Sequence, residues 1–214
     1  RRFNQGDTIE ADAGLNRFDF NPIVQIPFTK WPFLTVDTTA QWRGTYWTER
    51  LEDRLQVPEG IGRSYIDLQT RATGPSFVKI WETPNSGYAE RMKHVIEPWV
   101  SIQRVSAIDN FDQIVQLEWI DSVIGNVTQI RYGLDNRIYA KRREGGPEGV
   151  PREILNVAIM QSYYTDSRAA EFDRRFRTSF SGTGAAPTNY SPVSLVMRTE
   201  PTQSIGGTLR AEYD

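Results

Sequence analysis

The run NVTQIRYGLDNRIYAKR constrains this chain more than any other feature. Thr128, Ile130, Tyr132, Leu134, Asn136, Ile138 and Ala140 make one mostly apolar series. Gln129, Arg131, Gly133, Asp135, Arg137 and Lys141 make the interleaved, mostly polar one, with Tyr139 the exception. Successive side chains on a strand point to opposite faces, so this is a two-faced ribbon about thirteen residues long. A strand in a soluble domain runs about 5–6 residues, whereas one that crosses a bilayer in a barrel needs about 9–11. The length favours a barrel wall.

Other segments repeat the pattern. In RFDFNPIVQIPF, Phe18, Phe20, Val24, Ile26 and Phe28 oppose Arg17, Asp19, Asn21 and Gln25. In FLTVDTTAQWRGTYW, Leu34, Val36, Ala40, Trp42 and Tyr46 oppose Asp37, Thr39, Gln41 and Arg43. In SYIDLQTRATGPSFVKIWE, Ile66, Leu68, Ala72, Val78 and Ile80 are expected on one face, with Asp67, Gln69, Arg71 and Lys79 on the other. In MKHVIEPWVSIQR, Ile96, Val100 and Ile102 oppose Lys93, Glu97, Ser101 and Gln103. SPVSLVMRT sets Val193, Leu195 and Met197 together, and SIGGTLRAEY sets Ile205, Leu209, Ala211 and Tyr213 against Thr208, Arg210 and Glu212. EILNVAIMQSYY reads as a strand from Leu155, Val157, Ile159 and Tyr163, although Pro151 followed by Arg152 and Glu153 could also open a helix. Together these predict an all-β, antiparallel meander of about eight strands forming part of a large transmembrane β-barrel. The whole of 1–214 is expected to be one segment of that barrel, with both ends internal to a longer protein.

The connections add an ordering. Short links are expected near Thr29–Pro32, Thr83–Ala89, Arg143–Pro151 and Pro201–Gln203. Long ones are expected near Arg50–Gly62, Ser106–Gly125 and Thr165–Tyr190, so short and long alternate along the chain. Outer-membrane barrels have short turns at the periplasmic rim and long loops outside. In the last long loop, Ala169, Phe172, Phe176 and Phe180 have helical spacing and suggest a short surface helix. Aromatic residues gather near strand ends: Phe28, Trp31 and Phe33, then Tyr46 and Trp47, then Trp81 and Tyr88, then Tyr163 and Tyr164. Interfacial girdles would place them so, but strands are also aromatic-rich in general.

Composition excludes several classes. The formal charge is −2, which gives no basic field for nucleic acid. There is no cysteine and one histidine, His94, so thiol chemistry, disulfides and His-dependent metal or triad sites have no material. No apolar run approaches the ~20 residues of a membrane helix. The mean hydropathy of −0.53 suits a soluble protein, but it equally suits a barrel whose alternate residues face water. His94 and Glu97 are three apart and fall on opposite faces of a strand, so they cannot share a ligand. Pro98 within a strand marks a bulge or bend. Arg142, Arg143, Glu144, Gly145 and Gly146 lack the order of a phosphate-binding loop and read as a periplasmic turn. No catalytic residues, metal site or cofactor are expected.

Three of these segments also carry a resemblance. His94–Pro98 (HVIEP), Asn126–Arg137 and Ile154–Tyr164, in that order and spacing, resemble the lipopolysaccharide-assembly family LptD, also called OstA or the organic-solvent-tolerance family. The opening RFDFNPIVQIPF and the closing SPVSLVMRTEPTQSIGGTLRAEYD also look like it, so the resemblance extends from about Asn16 onward. Asp135 stands where the family has a small or hydroxyl residue, and LEWIDSVIG replaces the family's Asn-Arg-x-x-Gly-x-Asp-Arg stretch. The resemblance implies an outer-membrane barrel that inserts lipopolysaccharide into the outer leaflet without covalent chemistry. It further implies an LptE-like plug lipoprotein and an LptA-like periplasmic bridge acting through a domain outside this segment. The lateral seam would also lie outside this segment.

In such a barrel the lumen-facing candidates are Arg43, Asp67, Arg71, Glu97, Arg131, Asp135, Arg137, Arg210 and Glu212. They either meet phosphorylated sugars or the plug, since arginine matches phosphate geometry, or pair across strands to stiffen the wall. The lipid-facing candidates are Ile66, Leu68, Ile130, Leu134, Ile138 and Leu209. Two alternatives stay open: another outer-membrane barrel of porin or receptor type, and a soluble all-β carbohydrate-binding module. They differ in whether the apolar stripe meets lipid or is buried.

Overall fold

A computed structural model of the chain describes residues 2–3, 9–11, 15–116, 118, 121, 123–141, 151–172 and 188–213. Two short strands, β1 (Arg2–Phe3) and β2 (Ile9–Ala11), pair with each other. A second small hairpin, β6 (Arg50–Glu52) and β7 (Leu55–Val57), turns through Asp53 and Arg54, both at positive φ. The expected Arg50–Gly62 connection therefore has structure of its own.

Everything else in β conformation belongs to one antiparallel sheet of ten labelled strands. They are β3 (Arg17–Phe20), β4 (Ile23–Trp31), β5 (Leu34–Trp47), β8 (Ile61–Thr73), β9 (Phe77–Glu82), β10 (Arg91–Val105), β11 (Val127–Lys141), β12 (Arg152–Tyr164), β13 (Val193–Thr199) and β14 (Gly207–Tyr213). β3 and β4 lie end to end along β5, and β8 and β9 lie end to end along β10, so the ten strands make eight passes. Each pass pairs with the next in sequence, which is the expected meander. β3 and β4 form one edge and β14 the other, and the sheet is open between them.

The segment that could have opened a helix is strand β12, thirteen residues long. Leu155, Val157, Ile159 and Tyr163 alternate with Asn156 and Ser162 along it, and β11 supplies an edge on which to place it. Among the described residues the one α-helix is α1 (Arg168–Phe172), inside the long loop where a helix is expected; Phe176 and Phe180 lie outside the described residues. The turn proposed for Arg142–Gly146 also lies outside them.

Register assigns the faces. β10 and β11 pair without a shift from Arg91↔Lys141 to Val105↔Val127, so Pro98 introduces no bulge on that side. β3 and β4 keep one register on β5 across Asn21–Pro22, since Phe20↔Gly44 and Ile23↔Gln41 advance equally. The junction of β8 and β9 does shift. Thr73 faces Trp99 and Phe77 faces Ile96, so four steps on one strand match three on the other. One extra residue reverses every side chain beyond it. The expectation that Val78 and Ile80 share a face with Ile66 and Leu68 is therefore corrected: they align with Val95 and Lys93, on the other face, and Lys79 changes sides with them.

Two residues make that junction. Gly74 has φ of +115°, and a Cβ there would lie 2.3 Å from the Phe33 carbonyl oxygen, so glycine is required. Its N–H donates to the Pro98 carbonyl at 2.9 Å. In an antiparallel ladder a residue's C=O and N–H point to the same neighbour, so the donor that Pro98 lacks would have faced this interrupted stretch.

The faces are inverted relative to a soluble sheet. One face carries Phe18, Phe20, Ile66, Leu68, Ile102 and Leu209, between 45% and 67% exposed. The two buried apolar clusters lie on the opposite, polar face at the long-loop end. Trp47 and Ile61 pack with Ile114 and Leu15 there, and Tyr65, Val105, Val127 and Tyr164 pack with Ala169, Ile108 and Val123. Trp47 and Tyr164 thus belong to the covered polar face and not to an exposed aromatic ring, while Tyr46 and Tyr163 point the other way.

Candidate functional site

The polar face is a surface laced by cross-strand pairs. At its edge the Arg43 guanidinium donates to both oxygens of Asp19 at 2.8 and 2.6 Å, and the Thr45 hydroxyl adds a third bond at 2.7 Å. One pass further in, Gln103 donates to Asp67 Oδ2 at 2.7 Å, and Gln69 to Ser101 at 3.3 Å. Asp67 Oδ1 is buried with no hydrogen-bond partner. Arg71 lies 4.0 Å from the centroid of the Trp99 ring, a cation–π contact. Trp99 stands opposite Gly133, where a Cβ would come within 2.7 Å of the ring, so the missing side chain makes room for the indole.

Near the short-turn end Glu97 and Asp135 face each other in register. Two like charges so placed repel, and Arg137 offsets this by pairing with Glu97 at 3.2 Å. Ser76, just past the bulge, donates to Glu97 at 2.9 Å. Further along, Arg131 donates to Gln129 at 3.1 Å, and Gln129 to the Tyr164 hydroxyl at 2.5 Å. On β14, Arg210 pairs with Glu212 at 2.7 Å. All nine lumen candidates therefore share the polar face; eight are linked to near neighbours, Asp135 faces Glu97, and they are not gathered into one cluster. The six lipid candidates share the apolar face: Ile130 aligns with Ile102, Leu134 with Pro98, Ile138 with His94, Leu209 with Met197.

The loop between β10 and β11 folds across this polar face, which the sequence pattern did not reveal. Ile114 is 1% exposed against Trp47 and Ile61. Asp121 is fully buried; its carboxylate accepts Arg17 Nη1 at 3.2 and 3.3 Å and the Glu118 N–H at 2.9 Å. Its backbone carbonyl accepts Arg63 at 2.9 Å, and Arg63 also lies 5.0 Å from the Trp47 ring. Arg17 reaches Glu118 at 2.9 Å. The signal available was two carboxylates, Glu118 and Asp121, inside the largely apolar stretch LEWIDSVIG.

Outside the strands, the turn residue Glu200 is held below the usual carboxylate range by hydrogen bonds from Arg198 and then Arg152, which tie β12 to β13 at the short-turn rim. His94 and Glu97 fall on opposite faces, as their spacing requires. Among the described residues no group of three or more His, Cys, Asp or Glu is placed to hold a metal, and no helix is long and apolar enough to cross a membrane, which says nothing of a β-barrel. A cavity of about 480 Å³ opens on the apolar face, floored by Gly44, Gly62 and Ser64 and walled by Phe18, Phe20, Trp42 and Tyr46. Asp19, Thr45 and Arg63 line it too, so it adjoins the Arg43–Asp19 pair. No protein-family model matches the chain, and no curated protein matches it.

Proposed function

We propose that this chain is part of the wall of an outer-membrane β-barrel, with its apolar face against lipid and its polar face lining a wet lumen. The observation that carries the reading is the inversion of the sheet: large apolar side chains stand exposed on one face while the polar face is laced and covered. A soluble monomer rarely leaves so extended an apolar surface uncovered. The alternation of short turns and long loops supports the same orientation, with the long loops outside.

The resemblance to LptD supplies the cargo: the parent barrel moves lipopolysaccharide into the outer leaflet, without chemistry, helped by an LptE-like plug and fed by an LptA-like bridge. The polar face would meet the sugar and phosphate groups or the plug, through arginines suited to phosphate. Two experiments test this in turn. The protein should resist carbonate extraction and shift gel mobility on heating, as closed barrels do; failure of both removes the membrane reading. Depleting it should lower surface lipopolysaccharide and raise sensitivity to large hydrophobic antibiotics. One observation favours a second reading: a loop folded across the polar face would narrow a water-filled channel, as a solute-conducting barrel requires. Depletion that slowed small-solute uptake and left surface lipopolysaccharide unchanged would select it.

A further inference from the structure

We propose that Arg104 is a lipid-phosphate clasp on the apolar face, placed where that face ends beneath the long loops. The inference rests on the membrane reading above. Register puts Arg104 on the apolar face, between Leu68 of β8 and Thr128 of β11. Across the apolar face of β5, β8, β10 and β11 it is the one lysine or arginine, and there is no carboxylate. The described arginines at 17, 43, 50, 91, 137, 152, 168, 198 and 210 each pair with a carboxylate. Arg104 instead donates to two neutral groups, Thr128 Oγ1 at 3.1 Å and Asn126 Oδ1 at 2.6 Å. It is exposed, oriented and uncompensated. A guanidinium has five donors, so three remain for an incoming anion, in a fork that matches phosphate.

Its height fits the boundary of a bilayer. Ten residues separate Arg104 from His94 on the same face of β10, and Ile96, Pro98, Val100 and Ile102 are the only side chains between them on that face. Ten residues rise ~33 Å along a strand, or ~25 Å along the normal at the usual barrel tilt, which is the height of the apolar band of an outer-membrane barrel. Arg104 thus stands at the headgroup level, where arginine on the lipid face costs little. Hydroxyl and amide groups of Ser106, Asn126, Thr128 and Thr165 lie beside it, all bonded into the strand ends. Charge complementarity selects the occupant: the phosphate monoester of a membrane lipid, its acyl chains laid along Leu68, Ile102 and Ile130.

The test uses the full-length protein in nanodiscs of phosphatidylcholine doped with phosphatidic acid, with the retained lipids weighed by native mass spectrometry. The wild type should retain phosphatidic acid over phosphatidylcholine by about fivefold, the preference one interfacial cation confers. Arg104→Gln should abolish that preference, Arg104→Lys should keep part of it, and Arg198→Gln should leave it whole. Equal preference in wild type and Arg104→Gln would overturn the clasp while the protein remained embedded. A wild type that did not embed in nanodiscs at all would overturn the membrane reading itself, and the clasp with it.

Discussion

Replacing Asp121 with alanine should release the loop that covers the polar face. The carboxylate is fully buried and accepts from Arg17 and from the Glu118 N–H. Breaking a fully buried ion pair costs about 3–5 kcal/mol. Here the loss is smaller, because the Arg17 side chain is 22% exposed and keeps Glu118 at 2.9 Å. The Asp121 backbone carbonyl also keeps its bond from Arg63. About 2 kcal/mol remains, which raises the open fraction of the loop roughly thirtyfold. Asp121→Asn retains an acceptor for the Glu118 N–H and should cost about half as much. Chymotrypsin can read the opening at Phe111, in the 3-10 turn Phe111–Gln113 just before Ile114. When opening is fast relative to cleavage, the rate follows the open population. Cleavage should therefore rank Asp121→Ala above Asp121→Asn above wild type. Equal rates for all three would show that Asp121 does not anchor the loop.

Three further substitutions probe the sheet. Leu134→Arg should disrupt assembly far more than Arg131→Leu, since arginine at the bilayer midplane costs about 2–4 kcal/mol on the lipid face; equal heat-modifiable fractions would show the faces wrongly assigned. Gly133→Val should cost about 1–3 kcal/mol by overpacking, because a Cβ meets the Trp99 ring and the Ile159 carbonyl, and an unchanged unfolding midpoint would refute the packing described. Gly74→Ala should cost a similar amount through its φ of +115° and the nearby Phe33 carbonyl. A neutral result there would mean that the junction of β8 and β9 tolerates a side chain.

Much of the sheet was legible because alternation is a local signal. From Leu155 onward, past the register shift at Ile154, the faces of β12 to β14 follow from the sequence alone, with Leu155, Val157 and Ile159 opposing Asn156 and Ser162. Reading failed where one residue was inserted: Gly74–Pro75 signals a turn, but only the pairing with β10 reveals that the phase flips for Val78 and Ile80. It also failed where partners are distant. Asp121 meets Arg17 across more than a hundred positions, and no local pattern announces such a pair. Trp47 and Tyr164 lay near strand ends as interfacial aromatics would, yet parity already assigned them to the polar face. Arg104 was readable too, as a charge that falls on the apolar parity of MKHVIEPWVSIQR.

The central claim is that the apolar face meets lipid, and single-cysteine labelling tests it most directly. The chain has no cysteine, so within 1–214 each introduced thiol reports alone. Leu68→Cys, Ile102→Cys and Ile130→Cys sample the apolar face, and Thr39→Cys, Gln69→Cys and Arg131→Cys the polar one. In intact membranes a water-soluble maleimide should label the polar-face set and spare the apolar-face set until detergent dissolves the bilayer. Apolar-face thiols that reacted as fast as polar-face ones in intact membranes would mean that this face stands in water, and the barrel-wall account would be wrong.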